Sequence, residues 1–149
     1  MNQTIKDALT RARTQLILDH TFFGQLALRL PLVEDTKIKT AAVDGKNIYY
    51  NPDFIGKLTG PQTKTLLAHE VMHCVYDHIG RRMDRNHRKW NQAGDYVINL
   101  CLTDSGFETI PNWLHNKAYA GMSSDEVYNL LPDPDDEGKD PGDPLDDCM

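Results

Sequence analysis

Cysteine is scarce in this 149-residue chain: Cys74, Cys101 and Cys148 are odd in number, widely spaced and form no C-x-x-C pair. That excludes a disulfide framework and a cysteine-built zinc site, and it points to a reducing compartment. Long hydrophobic runs are missing as well. The opening residues, MNQTIKDALTRARTQLILDH, mix charges through their apolar positions and so do not read as a secretory signal, and no stretch elsewhere is long enough to span a bilayer. The expectation is a cytoplasmic protein without a membrane anchor. A broad basic surface is also lacking. Arg81, Arg82, Arg85, Arg88 and Lys89 form a short patch with Trp90 as their aromatic neighbour, which reads as a solvated turn rather than a nucleic-acid site. No internal repeat is visible, and the length suits one core without staples.

Acidity is what the chain has in excess, and it is concentrated. Residues 133–149 hold eight Asp/Glu against Lys139, a balance of −7, so the total of −6 leaves +1 for residues 1–132. The segment PDPDDEGKDPGDPLDDCM carries four prolines, two glycines and little to bury. It reads as a disordered tail or linker.

The rest of the chain is patterned for helices. Ile5, Ala8, Leu9, Ala12 and Leu16 recur at helical spacing, and Asp19 is placed to cap a second helix, HTFFGQLALRL, that Pro31 stops. KIKTAAVDGKNIYYN then reads as a hairpin turning at the DGK tripeptide. After a short helix in NPDFIGKL, Thr59, Gly60 and Pro61 launch a helix that Gly80 ends. KWNQAGDYVINLCLTDSG is apolar on most sides and therefore a buried helix. FETIPNWLHNKAYAGM is irregular, and Ser123 with Glu126 forms a capping box for a last helix, SSDEVYNLL.

The fourth of these helices contains TLLAHEVMHCVYDH, which sets His69, Glu70 and His73 among Leu66, Leu67, Val71 and Val75. Each ionisable group costs free energy to desolvate unless something binds it. Residues four apart in a helix are separated by about 40° and about 6 Å of rise, so His69 and His73 project from one face and can share an ion. Glu70 lies about 100° round from His69, beside that face, where it can take a proton from a metal-bound water. This is the physical content of the H-E-x-x-H signature of zinc peptidases. A catalytic zinc needs a third protein ligand. Asp95 is the strongest candidate, a carboxylate inside a helix otherwise apolar on most sides, with Asn99 one turn later to support it or the backbone of the motif helix. Asp77, His78 and His87 stay open as alternatives; His78 falls on the far side of the motif helix unless that helix breaks early. The bland reading of Asp95 is a salt bridge with an arginine of the 81–88 turn.

AAVDGKNIYYNPDF, LLAHEVMHCVYDH, RKWNQAGDYVINLCL and AGMSSDEVYNLLP, in that order, resemble the zincin metallopeptidases, and specifically the metallopeptidase domain that bacterial and phage proteins often carry ahead of a von Willebrand A-like domain. The resemblance implies His69 and His73 as zinc ligands, Glu70 as catalytic base, and Asp95 as the acidic ligand on the next helix, where the thermolysin-like pattern has a Glu. The metzincin extension is missing, because HCVYDH brings His78 one position too close. Zincins hold substrate against an edge strand by main-chain hydrogen bonds. NIYYN is the candidate for that strand, with Tyr49 and Tyr50 as substrate-binding residues; Tyr96 and His115 are weaker candidates for stabilising an oxyanion.

The expectation is thus an α+β, mostly helical zincin-like domain over 1–132, with a small β-hairpin or sheet upstream of the active-site helix and an acidic tail or linker over 133–149. It binds one Zn2+ per chain and hydrolyses a peptide or protein substrate through a zinc-bound water activated by Glu70. A von Willebrand A-like or other protein is the implied partner, and the chain is either a stand-alone short form or a piece cut in the acidic linker. The alternative is a non-catalytic, zinc-stabilised interaction or regulatory domain, against which the presence of Glu70 argues. A metal-free scaffold with a partner-binding tail is a third reading.

Overall fold

The computed structural model describes residues 2–133, 144 and 146–148. Its elements run α1 (Asn2–Asp19), α2 (Thr21–Leu28), β1 (Leu32–Glu34), β2 (Ala41–Val43), β3 (Ile48–Tyr50), α3 (Pro52–Gly56), α4 (Gly60–Val75), α5 (His78–Arg81), α6 (His87–Asp104), a 3-10 turn (Lys117–Tyr119), α7 (Ser124–Leu130) and β4 (Asp146–Cys148). The class is α+β and mostly helical, with the sheet ahead of the motif helix, as the patterning predicts. No helix among the described residues is long and apolar enough to cross a membrane.

Helix α1 buries Leu9, Ala12 and Leu16, a stripe of one helical face, and packs against both α2 and α4. The α1–α2 corner is tight. His20 alone separates the two helices, so Asp19 ends α1 rather than capping α2, and no side chain caps α2 at all. The close approach is made by Gly24: a Cβ there would stand 2.7 Å from Ile17 N and closer still to its Cα.

The hairpin forms where expected. β2 and β3 pair antiparallel with Ala41 opposite Tyr50, and the Asp44 carboxylate accepts the backbone N–H of Lys46 and of Asn47, both at 2.8 Å, while Gly45 takes φ +90°. Aspartate and glycine suit such turns because one mimics a backbone acceptor and the other has no Cβ to clash. Two further strands complete the sheet in the order β1-β3-β2-β4. β1 runs parallel to β3, and β4 runs parallel to β2 with Asp146 opposite Ala41.

Most of the expected acidic tail over 133–149 falls outside the described residues. At Asp146–Cys148 the chain departs from that expectation and returns as a strand. A β2 edge offers unpaired backbone donors and acceptors whatever the incoming side chains are, so composition gave no warning.

Thr59 and Gln62 form a capping box that starts α4, and Pro61 sits in its first turn. Leu66, Leu67, Ile98 and Leu102 join Leu16, Ile48 and Ile55 in the main core, each at 2 % exposure or less. A second, smaller cluster of Ala93, Tyr96, Leu114, Val127 and Leu131 lies where α7 packs on α6. The Ser123–Glu126 capping box of α7 is present as expected.

A glycine inside a helix ordinarily costs about 1 kcal/mol relative to alanine. At position 24 the sign reverses, because overpacking a filled contact costs about 1–3 kcal/mol. Gly24→Ala is therefore expected to lower stability, read as a reduced midpoint in urea denaturation; an increased midpoint would mean that the α1–α2 corner is not closed as described.

Candidate metal centre

Helix α4 is buried all round from Thr65 to His73, a consequence of being covered by α1, α2 and α6. His69, Glu70 and His73 are each at 0 % exposure, and Asp95 on α6 is too. The α4–α6 contact brings three ligand atoms together: His69 Nε2 lies 3.1 Å from His73 Nε2, and Asp95 Oδ1 lies 3.2 Å from the first and 3.3 Å from the second. A tetrahedral ion at 2.0–2.1 Å from its ligands requires ligand-to-ligand edges of roughly 3.3 Å. The triangle has those edges. His69, His73 and Asp95 therefore form a cluster that could hold a divalent ion.

The outer contacts orient the rings. Asn99 donates through Nδ2 to the Leu114 carbonyl at 2.8 Å, which turns its Oδ1 toward His69 Nδ1 at 2.9 Å. An amide oxygen only accepts, so His69 carries its proton on Nδ1 and, when neutral, presents a lone pair on Nε2 to the triangle. Asn99 thus supports His69, not Asp95. On the other side His73 Nδ1 lies 2.9 Å from His78 Nδ1, and His78 Nε2 lies 2.7 Å from Ser124 Oγ.

His78 reaches this place because α4 stops early. The helix ends at Val75 with Tyr76 as its C-cap, and Asp77 takes a left-handed conformation at φ 52°, ψ 43° before α5 begins at His78. Asp and Asn adopt that region more readily than other side chains. Room for the ring comes from Gly94, where a Cβ would stand 2.9 Å from His78 Cε1 and Nδ1. Trp90 Nε1 donates to the His78 carbonyl at 2.6 Å. Sequence reasoning missed Gly94 and Ser124 as neighbours of His78, because both contacts join segments far apart in the chain.

Other expected residues lie elsewhere. β3 is flanked by β1 and β2, so neither of its edges is open to a substrate strand, and the expectation for NIYYN is overturned by the unforeseen β1. Tyr50 is in the main core, where burial and then the charge of Glu34 push its pKa up. Tyr49 donates to Asp44 Oδ2 at 2.8 Å, and that bond, with some desolvation, raises its pKa; its hydroxyl serves the turn. Among the described residues, Asp77 and His87 do not join the ligand cluster, and both are exposed. His115 is exposed, and Tyr96 packs edge-on against Tyr119 at 5.0 Å. The basic turn is spent on α7 and α6. Arg81 and Arg85 both hold Asp125, Arg85 lies over Trp90, and Lys89 reaches Asp133 and the Tyr128 ring. The arginines thus have their own carboxylate, and Asp95 stays with the histidines.

An uncharacterized protein of Thermotoga maritima is 25% identical over 135 residues, covering 86% of this chain and 34% of the relative. The chain thus spans about a third of the length of that relative. No solved structure matches it. The family described as "Putative metallopeptidase domain" matches residues 4–146, and the chain belongs to that family.

Proposed function

We propose that this domain is a zinc-dependent peptidase in which His69, His73 and Asp95 hold the zinc and Glu70 is the general base. The observation that carries the reading is the triangle of His69 Nε2, His73 Nε2 and Asp95 Oδ1, with edges of 3.1, 3.2 and 3.3 Å in a seam closed to solvent. Two imidazoles and one carboxylate favour zinc over calcium or magnesium, which take shells of oxygen. Three protein ligands rather than four are the mark of a catalytic site. When bound, zinc supplies a Lewis acid that polarises a carbonyl and lowers the pKa of a coordinated water to about 7.

Glu70 follows His69 directly on α4, so the turn that aims the first imidazole also fixes where the carboxylate starts. In peptide hydrolysis it accepts a proton from the attacking water as the carbon–oxygen bond forms. It then returns that proton to the departing amine as the carbon–nitrogen bond breaks. Burial of the carboxylate keeps it from being solvated away from this task. Asn99 holds His69 in the tautomer that ligation needs. The substrate class is peptide or protein. Because β3 is interior, an extended substrate would have to add at an outer edge of the sheet rather than along NIYYN.

Protein purified without added metal is expected to contain about one zinc per chain by elemental analysis, and a value near zero would remove the zinc reading. Glu70→Gln should retain that zinc and lose peptide hydrolysis; zinc bound with no hydrolysis in the wild-type chain would instead favour a zinc-stabilised interaction domain. Asp95→Ala should weaken zinc binding by more than about 10-fold, since even outer-shell partners are worth that much. Chelator competition measures it, and unchanged affinity would pass the third position to another group.

A further inference from the structure

We infer that His78 is a positioning residue for the metal centre: its Nδ1 accepts the Nδ1–H of His73 and its Nε2–H donates to Ser124, which commits the Nε2 lone pair of His73 to the ion. This rests on the zinc reading above. The chain of contacts is His73 Nδ1 to His78 Nδ1 at 2.9 Å and His78 Nε2 to Ser124 Oγ at 2.7 Å, with all three residues at 2 % exposure or less.

A neutral imidazole has one donor and one acceptor nitrogen, so this chain can run in only two directions. If the Ser124 hydroxyl donates to His78 Nε2, His78 Nδ1–H donates to His73 Nδ1. His73 then carries its proton on Nε2, aimed into the triangle and 3.1 Å from His69 Nε2, where it blocks ligation. In the opposite direction every proton points away from the triangle, and His73 faces it with a lone pair. Only that second direction is compatible with metal. A ligating imidazole is usually oriented by a carboxylate or a backbone carbonyl. Here a second imidazole takes that place, and because it can either donate or accept, its own partner must set its direction.

That partner is firmly held. Ser124 is the first residue of α7, inside the Ser123–Glu126 capping box, and the next residue, Asp125, receives Arg81 from α5 and Arg85 from the following turn. The His78 backbone is tied to Trp90, and its ring sits in the space that Gly94 leaves. Four separate features thus place an imidazole that does not itself reach the ligand triangle.

Zinc affinities of the full chain, by chelator competition, test the role with His78→Leu, His78→Gln and Ser124→Ala, alongside imidazole nitrogen-15 spectra of the zinc-loaded wild type. His78→Leu is expected to lose about 10- to 100-fold in affinity. His78→Gln should recover much of it, because an amide oxygen can accept from His73 Nδ1–H, and Ser124→Ala should fall between. The spectra should show His78 protonated on Nε2 and bare on Nδ1. Should His78→Leu fail to fold by circular dichroism, the glutamine and alanine variants and the spectrum carry the decision. Wild type and His78→Leu binding zinc equally, or a proton on His78 Nδ1, would overturn the positioning role and leave the zinc reading standing. A wild-type chain that binds no zinc removes both.

Discussion

Two imidazole nitrogens and a carboxylate oxygen meet within 3.3 Å of one another in a buried seam, and that meeting is the constraint around which this domain is arranged. Ionisable groups lose their hydration on burial and need a replacement of comparable strength. The replacement sets the register of α4 against α6, because His69 and His73 from one helix must face Asp95 from the other. The apolar residues on either side, Leu66, Leu67, Val71 and Ile98, supply the burial that holds the register. They also exclude the water that would otherwise weaken every interaction at the centre.

The periphery is built to the same end from unlike parts. Asn99 lies one turn beyond Asp95 on α6 and fixes His69, so a single helix supplies both a member of the triangle and the orienter of another. His73 is served from outside both helices, by a residue that follows the break after α4 and by a hydroxyl on α7. The basic turn gains a structural meaning in this light. Its arginines grip Asp125 and stack on Trp90, which clamps α7 to α6 beside His78. Arg81 and Arg85, which the sequence reads as part of a solvated turn, are instead engaged with α7 and with Trp90.

Much of this was legible beforehand, and what was not has a common cause. The start of α4 at Thr59–Pro61, the DGK turn, the α7 capping box and the pairing of His69 with His73 rest on contacts within a few residues, which sequence spacing encodes directly. Asp95 was recognisable because a carboxylate in an otherwise apolar helix contradicts its surroundings. β1, β4 and the interior position of β3 were not recognisable. Strand order depends on which backbone edges meet, and three-residue strands leave almost no periodic trace. The tyrosines of NIYYN were misassigned for that reason, since an extra strand on each side converts an apparent edge into a centre.

Sequence alone determined the class of fold, the helix that carries His69, Glu70 and His73, and the two-imidazole, one-carboxylate character of the candidate site, because those follow from local spacing and from the cost of burying charge. Tertiary structure decided which group each ligand leans on. Asn99 found His69 instead of Asp95, and His78 came round to His73 because one left-handed residue, Asp77, ended a helix sooner than its apolar pattern implied. A hydrogen bond between side chains 30 residues apart, as for Asn99 and His69, exists only once two helices have packed, and no local pattern encodes its partner.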